Sequence, residues 1–286
     1  MKKCNPVESI INLPKGNFKY PVTTSRDKFL HMKESAIISR RKSPFITTFA
    51  SPGDIVEDLG TILNLGWMCA ANCEFCYLQL NQTPEHYIYS NIADAEKIIR
   101  AAPVAHAAIL TMWTQISHSL KQRLFKIPAG LRETSDDLRV KFADARIDTD
   151  SKAIDYYASH QKWIHKLLHK NNVKEFDIPY EDFYVDRATI KGWFTANRKF
   201  KLILTASEFT DFFAIDHLAG KSDFLMKMVA KYSEVNVSIR TKSAYVDEII
   251  KHDGKGRVHI AINLNTEHAI DTFEHGTASL DERLAA

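Results

Sequence analysis

Residues 61–80 read TILNLGWMCAANCEFCYLQL, a short apolar run followed by a loop that carries Cys69, Cys73 and Cys76. Thr61-Ile62-Leu63-Asn64-Leu65 has the β-branched and aliphatic content of a buried strand, and Gly66 ends it. The chain holds four cysteines, and the fourth, Cys4, lies far away near the N-terminus. Three thiols within eight positions are one short of a closed tetrahedral zinc site and odd in number for disulfides. The local pattern is therefore a strand that delivers a reactive loop.

The chain further on says what kind of sheet that strand enters. Phe200–Thr205, Val235–Arg240 and Val258–Asn263 read as strands, with Asp223–Tyr232 and Ala244–Lys251 as helices between or beside them. Such alternation predicts parallel βα units, in an open α/β sheet or a barrel. Chemistry in these folds sits at the C-terminal ends of strands, where the cysteine loop falls. Four strands is a small number. The final residues, Ser279–Ala286, start a helix without Gly, Pro or a basic last turn to stop it. The expectation is a truncated product or an open, partial barrel.

Elsewhere the rhythm differs. Residues 1–58 carry Pro6, Pro14, Pro21, Pro44 and Pro52 among short apolar stretches and read as a wrapping arm. Asn91 caps a helix over 91–101, with Ile92, Ala95, Ile98 and Ile99 at helical spacing. Residues 103–197 read as a helical insertion, with helices over 107–125, 151–171 and 180–191. The domain plan is an arm at 1–58, a partial barrel from 59–102 and 198–286, and the insertion between.

Hydrophobic residues make up 45% of the 286 and charged residues 26%, an ordinary globular balance with room for a sizeable core. A net charge of +3 gives no argument for nucleic acid. No apolar run reaches membrane-span length, and MKKCNPVESIINLPKG lacks the apolar core of an export signal. Clustered cysteines without a disulfide framework point to a reducing compartment, so the expected location is cytoplasmic.

Three thiolates at C-x3-C-x2-C spacing suit three corners of a four-iron, four-sulfur cluster, because soft sulfur holds iron and one loop can wrap one face. The fourth iron is then open to a small molecule. A zinc knuckle completed by Cys4, or an electron-transfer cluster, is the alternative for the same residues.

The motif, with Phe75 just before the last cysteine, resembles the radical S-adenosylmethionine (SAM) superfamily. The resemblance implies a 4Fe-4S cluster on Cys69, Cys73 and Cys76 whose open iron chelates SAM. It also implies reductive cleavage to a 5'-deoxyadenosyl radical that abstracts hydrogen from substrate. Within the superfamily, several blocks are similar to the spore photoproduct lyase family. They are Cys76-Tyr77-Leu78-Gln79, Thr205–Asp211 with Ile215-Asp216-His217-Leu218, Arg240-Thr241-Lys242, Asn263-Leu264-Asn265, and Glu274–Arg283. The blocks cover about 59–80 and 200–286, and residues 103–197 have no counterpart.

The resemblance implies that Lys242 meets the SAM carboxylate and that Thr210, Asp211 and Asn263 help hold the cofactor. It further implies an electron donor such as flavodoxin or ferredoxin and a DNA lesion or nucleobase as substrate. Two departures stand out. The family returns a hydrogen atom from a cysteine at the end of its second strand, and Glu208 stands there instead. A carboxyl group cannot replace a thiol in that step. Of the family's two tyrosines flanking the last cysteine, Tyr77 remains, to relay or quench a radical, and Phe75 replaces the other. Glu208 is expected instead to bind the SAM ammonium, a cation–carboxylate pair.

Two further readings follow from the residues: a degenerate protein that binds a cluster without turnover, and a zinc-stabilised nucleic-acid-binding module. His165 and His169, four apart on a helix, could form a metal pair, but Lys162, Lys166 and Lys170 beside them predict a solvated basic face. Arg40-Arg41-Lys42 reads as solvated charge. Trp113, Trp163 and Trp193 read as core.

Overall fold

The computed structural model describes residues 35–49, 60–67, 69, 72–73, 86–121, 130–171, 173, 176–206, 210–213 and 215–286. Its main sheet joins β2 (Ile46–Phe49), β3 (Gly60–Leu63), β7 (Ile203–Thr205), β8 (Asn236–Thr241) and β9 (Val258–Ile262), in that order. β3, β7, β8 and β9 run parallel, and β2 lies antiparallel to β3 at one edge. The four parallel strands fall where the apolar runs predicted them. Among the described residues the sheet is open and does not close into a barrel, so the architecture is mixed α/β with parallel strands at its centre.

Two small sheets flank it. β1 (Ala36–Ser39) pairs parallel to β6 (His86–Tyr89), which also pairs with β4 (Gly66–Trp67). β5 (Asn72–Cys73) pairs antiparallel to β10 (Glu274–His275). Thus the stretch read as a proline-punctuated arm contains two strands, β1 and β2, built into sheets.

The helices differ in detail from their sequence outline. One 25-residue helix, α1 (Ala95–Ser119), replaces the two separate helices expected at 91–101 and 107–125, and Pro103 lies inside it. Its run AAPVAHAAIL is buried on nearly every side, as befits a helix at the centre of a packed layer. α2 (Leu131–Asp144) was not apparent in the sequence. The 151–171 segment is two helices, α3 (Asp150–Ser159) and α4 (Gln161–Lys170), divided at His160. A four-residue turn, α5 (Tyr180–Phe183), precedes α6 (Arg187–Asn197), where Asp186 caps by accepting from the Thr189 N–H at 2.7 Å.

One continuous apolar core runs from these helices into the sheet. A buried polar network ties the helices together: Gln115 donates to Gln161 Oε1 at 2.8 Å and to the Phe183 carbonyl at 2.6 Å, and accepts from Tyr157 at 2.8 Å. Fully satisfied networks of this kind specify one packing arrangement. Arg139 of α2 fastens the helices to the sheet, bonding Asp136 at 3.0 Å, Thr61 of β3 at 3.2 Å and the Thr48 hydroxyl of β2.

His165 does not form part of a solvated face. Its ring packs against His169, Phe176, Tyr180 and Phe183, and its Nε2 lies 2.7 Å from the Ile178 carbonyl. Lys162, Lys166 and Lys170 are exposed as expected, and Trp113, Trp163 and Trp193 pack on the core. After the insertion come α7 (Asp216–Ala219), α8 (Lys221–Lys231), α9 (Asp247–Ile250), α10 (Glu267–Phe273) and α11 (Leu280–Ala285). Among the described residues no helix is long and apolar enough to cross a membrane.

Candidate active site

Segments that follow β7, β8 and β9 meet beside Cys73 and Glu274: Asp211 binds Lys242, Lys242 reaches Cys73, and Asn265 binds Glu274. β5, which contains Cys73, is held by β10, and Cys73 stands opposite Glu274 in that ladder. Lys242, immediately after β8, reaches across: its Nζ is 3.8 Å from Cys73 Sγ and 2.7 Å from Glu274 Oε1. Cys73 is buried and Cys69 half-buried. Lys242 and Cys73 are 169 positions apart in sequence, so the fold, rather than local spacing, makes the pair.

Glu274 is the hub. Its side chain is 0% exposed, and Oε2 accepts from Arg283 at 2.6 Å while Oε1 also accepts from Asn265. Burial pushes this carboxyl's pKa up, but hydrogen bonds from Lys242, Arg283 and Asn265 outweigh burial and hold it below the ordinary value. Arg283 is equally enclosed and spends its other donors on the Ala278 and Asn263 carbonyls, both at 2.9 Å, and on Thr277 Oγ1 at 2.6 Å. α11 presents Arg283 correctly because Ser279 and Glu282 form a reciprocal capping box at its start.

Asp211 fixes the other side of Lys242. One carboxylate oxygen accepts the Lys242 backbone N–H at 2.7 Å; the other accepts the Thr241 hydroxyl at 2.7 Å and the Phe213 N–H at 3.2 Å. Thr241 in turn accepts the Ser243 N–H at 2.9 Å. Asp211 therefore joins the loop after β7 to the end of β8. Thr210 is buried beside it, its hydroxyl donating to the Asp211 carbonyl at 3.2 Å. Asn263, just past β9, donates its N–H to the Thr241 carbonyl at 2.8 Å and has an exposed side chain.

Of the residues singled out in the sequence, Cys69, Cys73, Thr210, Asp211, Lys242 and Asn263 thus gather at one end of the sheet. Cys76, Tyr77 and Glu208 lie outside the described residues. Glu274 and Arg283 had been noted within a block of resemblance without a role; their part depends on the β5–β10 pairing, which sequence spacing does not disclose.

Among the described residues no group of three or more metal-ligating side chains occurs, two of the three motif cysteines being described. The surroundings fit an iron–sulfur cluster. The donors are soft thiols, Cys73 is buried, and a lysine ammonium stands against its sulfur, where a thiolate-bound cluster carries negative charge.

Residues 190–286 match the family model described as spore photoproduct lyase. No curated protein matches the chain in sequence. Among solved structures, a spore photoproduct lyase double mutant with bound AdoMet and dinucleoside spore photoproduct aligns with TM-score 0.50 and 15% identity, covering 95% of this chain and 52% of that one. A single mutant with dinucleoside spore photoproduct aligns with TM-score 0.51 and 14% identity, covering 94% of this chain and 51% of that one. The chain spans about half the length of these structures. At such identities the structural likeness speaks for the fold, and residues 190–286 carry the relationship in sequence. Residues 190–286 are accordingly similar to the spore photoproduct lyase family, and the chain as a whole shares the fold of these lyase structures.

Proposed function

We propose that the chain is a radical SAM enzyme, with a 4Fe-4S cluster on Cys69, Cys73 and Cys76 and SAM as co-substrate. The carrying observation is the meeting of Cys73 and Lys242 at the C-terminal end of the parallel strands. Held by these three cysteines and reduced, such a cluster would supply one-electron cleavage of SAM to methionine and a 5'-deoxyadenosyl radical able to remove hydrogen from a substrate.

The chain's own residues bind and aim. Glu274 and Asp211 hold Lys242 from two directions, one at its ammonium and one at its backbone, so its charge is fixed beside the cluster loop. A cation so held suits the SAM carboxylate. Thr210 and Asn263 line the same end, and Glu208, by its place after β7, serves the SAM ammonium. The substrate proposed is a nucleic-acid lesion or nucleobase. Photoproduct reversal as the family performs it is not part of the proposal, because Glu208 stands in place of the hydrogen-donating cysteine and Phe75 in place of a tyrosine.

Anaerobically reconstituted protein, given dithionite and SAM, is expected to form 5'-deoxyadenosine. Cluster-loaded protein that yields none would overturn the enzymatic reading and leave a binding protein; colourless protein holding zinc would support the nucleic-acid module.

A further inference from the structure

Lys221 opens α8, following Gly220, whose φ of 61° turns the chain between α7 and α8. Its side chain runs inward and is 1% exposed. The Nζ has no hydrogen-bond partner among the described residues. It lies 5.0 Å from the centre of the Phe212 ring and faces Gly66, where an added Cβ would stand 3.6 Å from it. Gly66 is three residues before Cys69. The cation thus sits under the start of the cysteine loop.

An ammonium buried without hydrogen bonds is costly, and a structural role alone is better served by an apolar side chain of the same length. The Phe212 face offsets part of that cost. Burial pushes the Lys221 pKa down to about 8, while Asp216, Asp211 and Cys69 oppose the shift, so the group is chiefly charged at neutral pH. Groups from three segments, the loop after β7, α7 and the cysteine loop, therefore act on it electrostatically.

We infer that Lys221 is a positioning residue that supplies a fixed buried positive charge to the cluster loop and raises the cluster's reduction potential. This rests on the cluster proposed above. A cluster held by three thiolates gains one electron from the reductant and becomes more negative by one charge; no bond to Lys221 forms or breaks, and its proton stays in place. A nearby fixed cation favours the more negative, reduced form. In this reading Lys242 handles the cofactor, and Lys221 makes the reduced cluster accessible.

The test is an EPR-monitored redox titration at pH 7 of reconstituted wild-type protein, Lys221→Met and Lys221→Gln. Lys227→Met, which removes an exposed lysine from the same helix, is the control. At a fixed solution potential the ratio of reduced to oxidised cluster should fall about tenfold in both Lys221 variants, a midpoint about 59 mV more negative. Lys227→Met should leave it unchanged. If Lys221→Met and Lys221→Gln take up the same iron as wild type and titrate at the same potential, the inference is wrong while the cluster reading stands. Wild-type protein that takes up no iron would remove both. A variant that fails to fold is answered by the other, and equal shifts in all three variants would mean general charge rather than Lys221.

Discussion

Replacing Glu274 with Gln tests the buried ion network that frames the candidate site. The carboxylate binds Lys242 at 2.7 Å through one oxygen and Arg283 at 2.6 Å through the other, and both Glu274 and Arg283 have 0% side-chain exposure. Gln keeps the shape but carries one oxygen and no charge. Whichever way the amide turns, one cationic partner meets an NH2 group. The guanidinium of Arg283, out of reach of water, then lacks its countercharge. Breaking such a pair by removing one partner costs about 3–5 kcal/mol. For a chain of this size that corresponds to a fall in Tm on the order of 10 °C.

The assay is urea unfolding of wild type, Glu274→Gln, Arg283→Met and the double variant. Removing both charges removes the cause of the penalty, so the double variant should be less destabilised than the sum of the singles, by at least about 1 kcal/mol. The pH dependence has a definite sign. Because the folded pKa of Glu274 is held below its ordinary value, its contribution is present above the unfolded pKa of 4.5 and is lost as pH falls through the folded value. The gap between wild type and Glu274→Gln should narrow on acidification. A loss below about 1 kcal/mol at pH 7, or strict additivity, would refute the reasoning.

Other expectations follow from single contacts. His106 is buried, and burial, then Arg139 and Arg198, push its pKa from 6.5 down to about 4. The unfolded chain binds its proton first on acidification, so stability is full above pH 6.5 and declines toward pH 4, by up to roughly 3 kcal/mol. His106→Gln should flatten that part of the pH–stability curve, and an unchanged slope would exclude His106 as its source. Asp211→Asn removes one acceptor oxygen from the clamp on Thr241, Phe213 and Lys242. It should cost about 1–3 kcal/mol in denaturant unfolding and weaken SAM binding in the reconstituted protein; a variant with intact stability would show the clamp to be incidental. Glu208→Gln should weaken SAM binding about tenfold by calorimetry, and equal affinity would remove the proposed ammonium contact.

What the sequence disclosed, it disclosed through strong local patterns. Apolar runs such as Leu202–Thr205 and Val235–Ile239 bury Leu202, Leu204, Val235, Val237 and Ile239 in the core, and they locate the parallel strands to within a few residues. α2 was invisible because its inward face is built from Thr134, Ser135 and Arg139 among sparse apolar residues; the two hydroxyls bond back to the Gly130 and Leu131 carbonyls, and Arg139 finds partners in β2 and β3. The sequence outline parted a helix at 91–101 from one at 107–125, yet the tertiary packing of the small residues around Pro103 carries α1 through. The cysteine motif marked the place of the candidate site in the sequence. Its frame did not show, because Cys73, Lys242, Glu274 and Arg283 meet only after distant segments pair.

The most direct measurement is iron and acid-labile sulfide in anaerobically reconstituted protein, alongside Cys69→Ala, Cys73→Ala and Cys76→Ala. About four iron and four sulfide per chain in the wild type, lost in every cysteine variant, is the predicted result. Wild-type protein that holds no iron under these conditions, or iron retained after any of the three substitutions, would contradict the assignment.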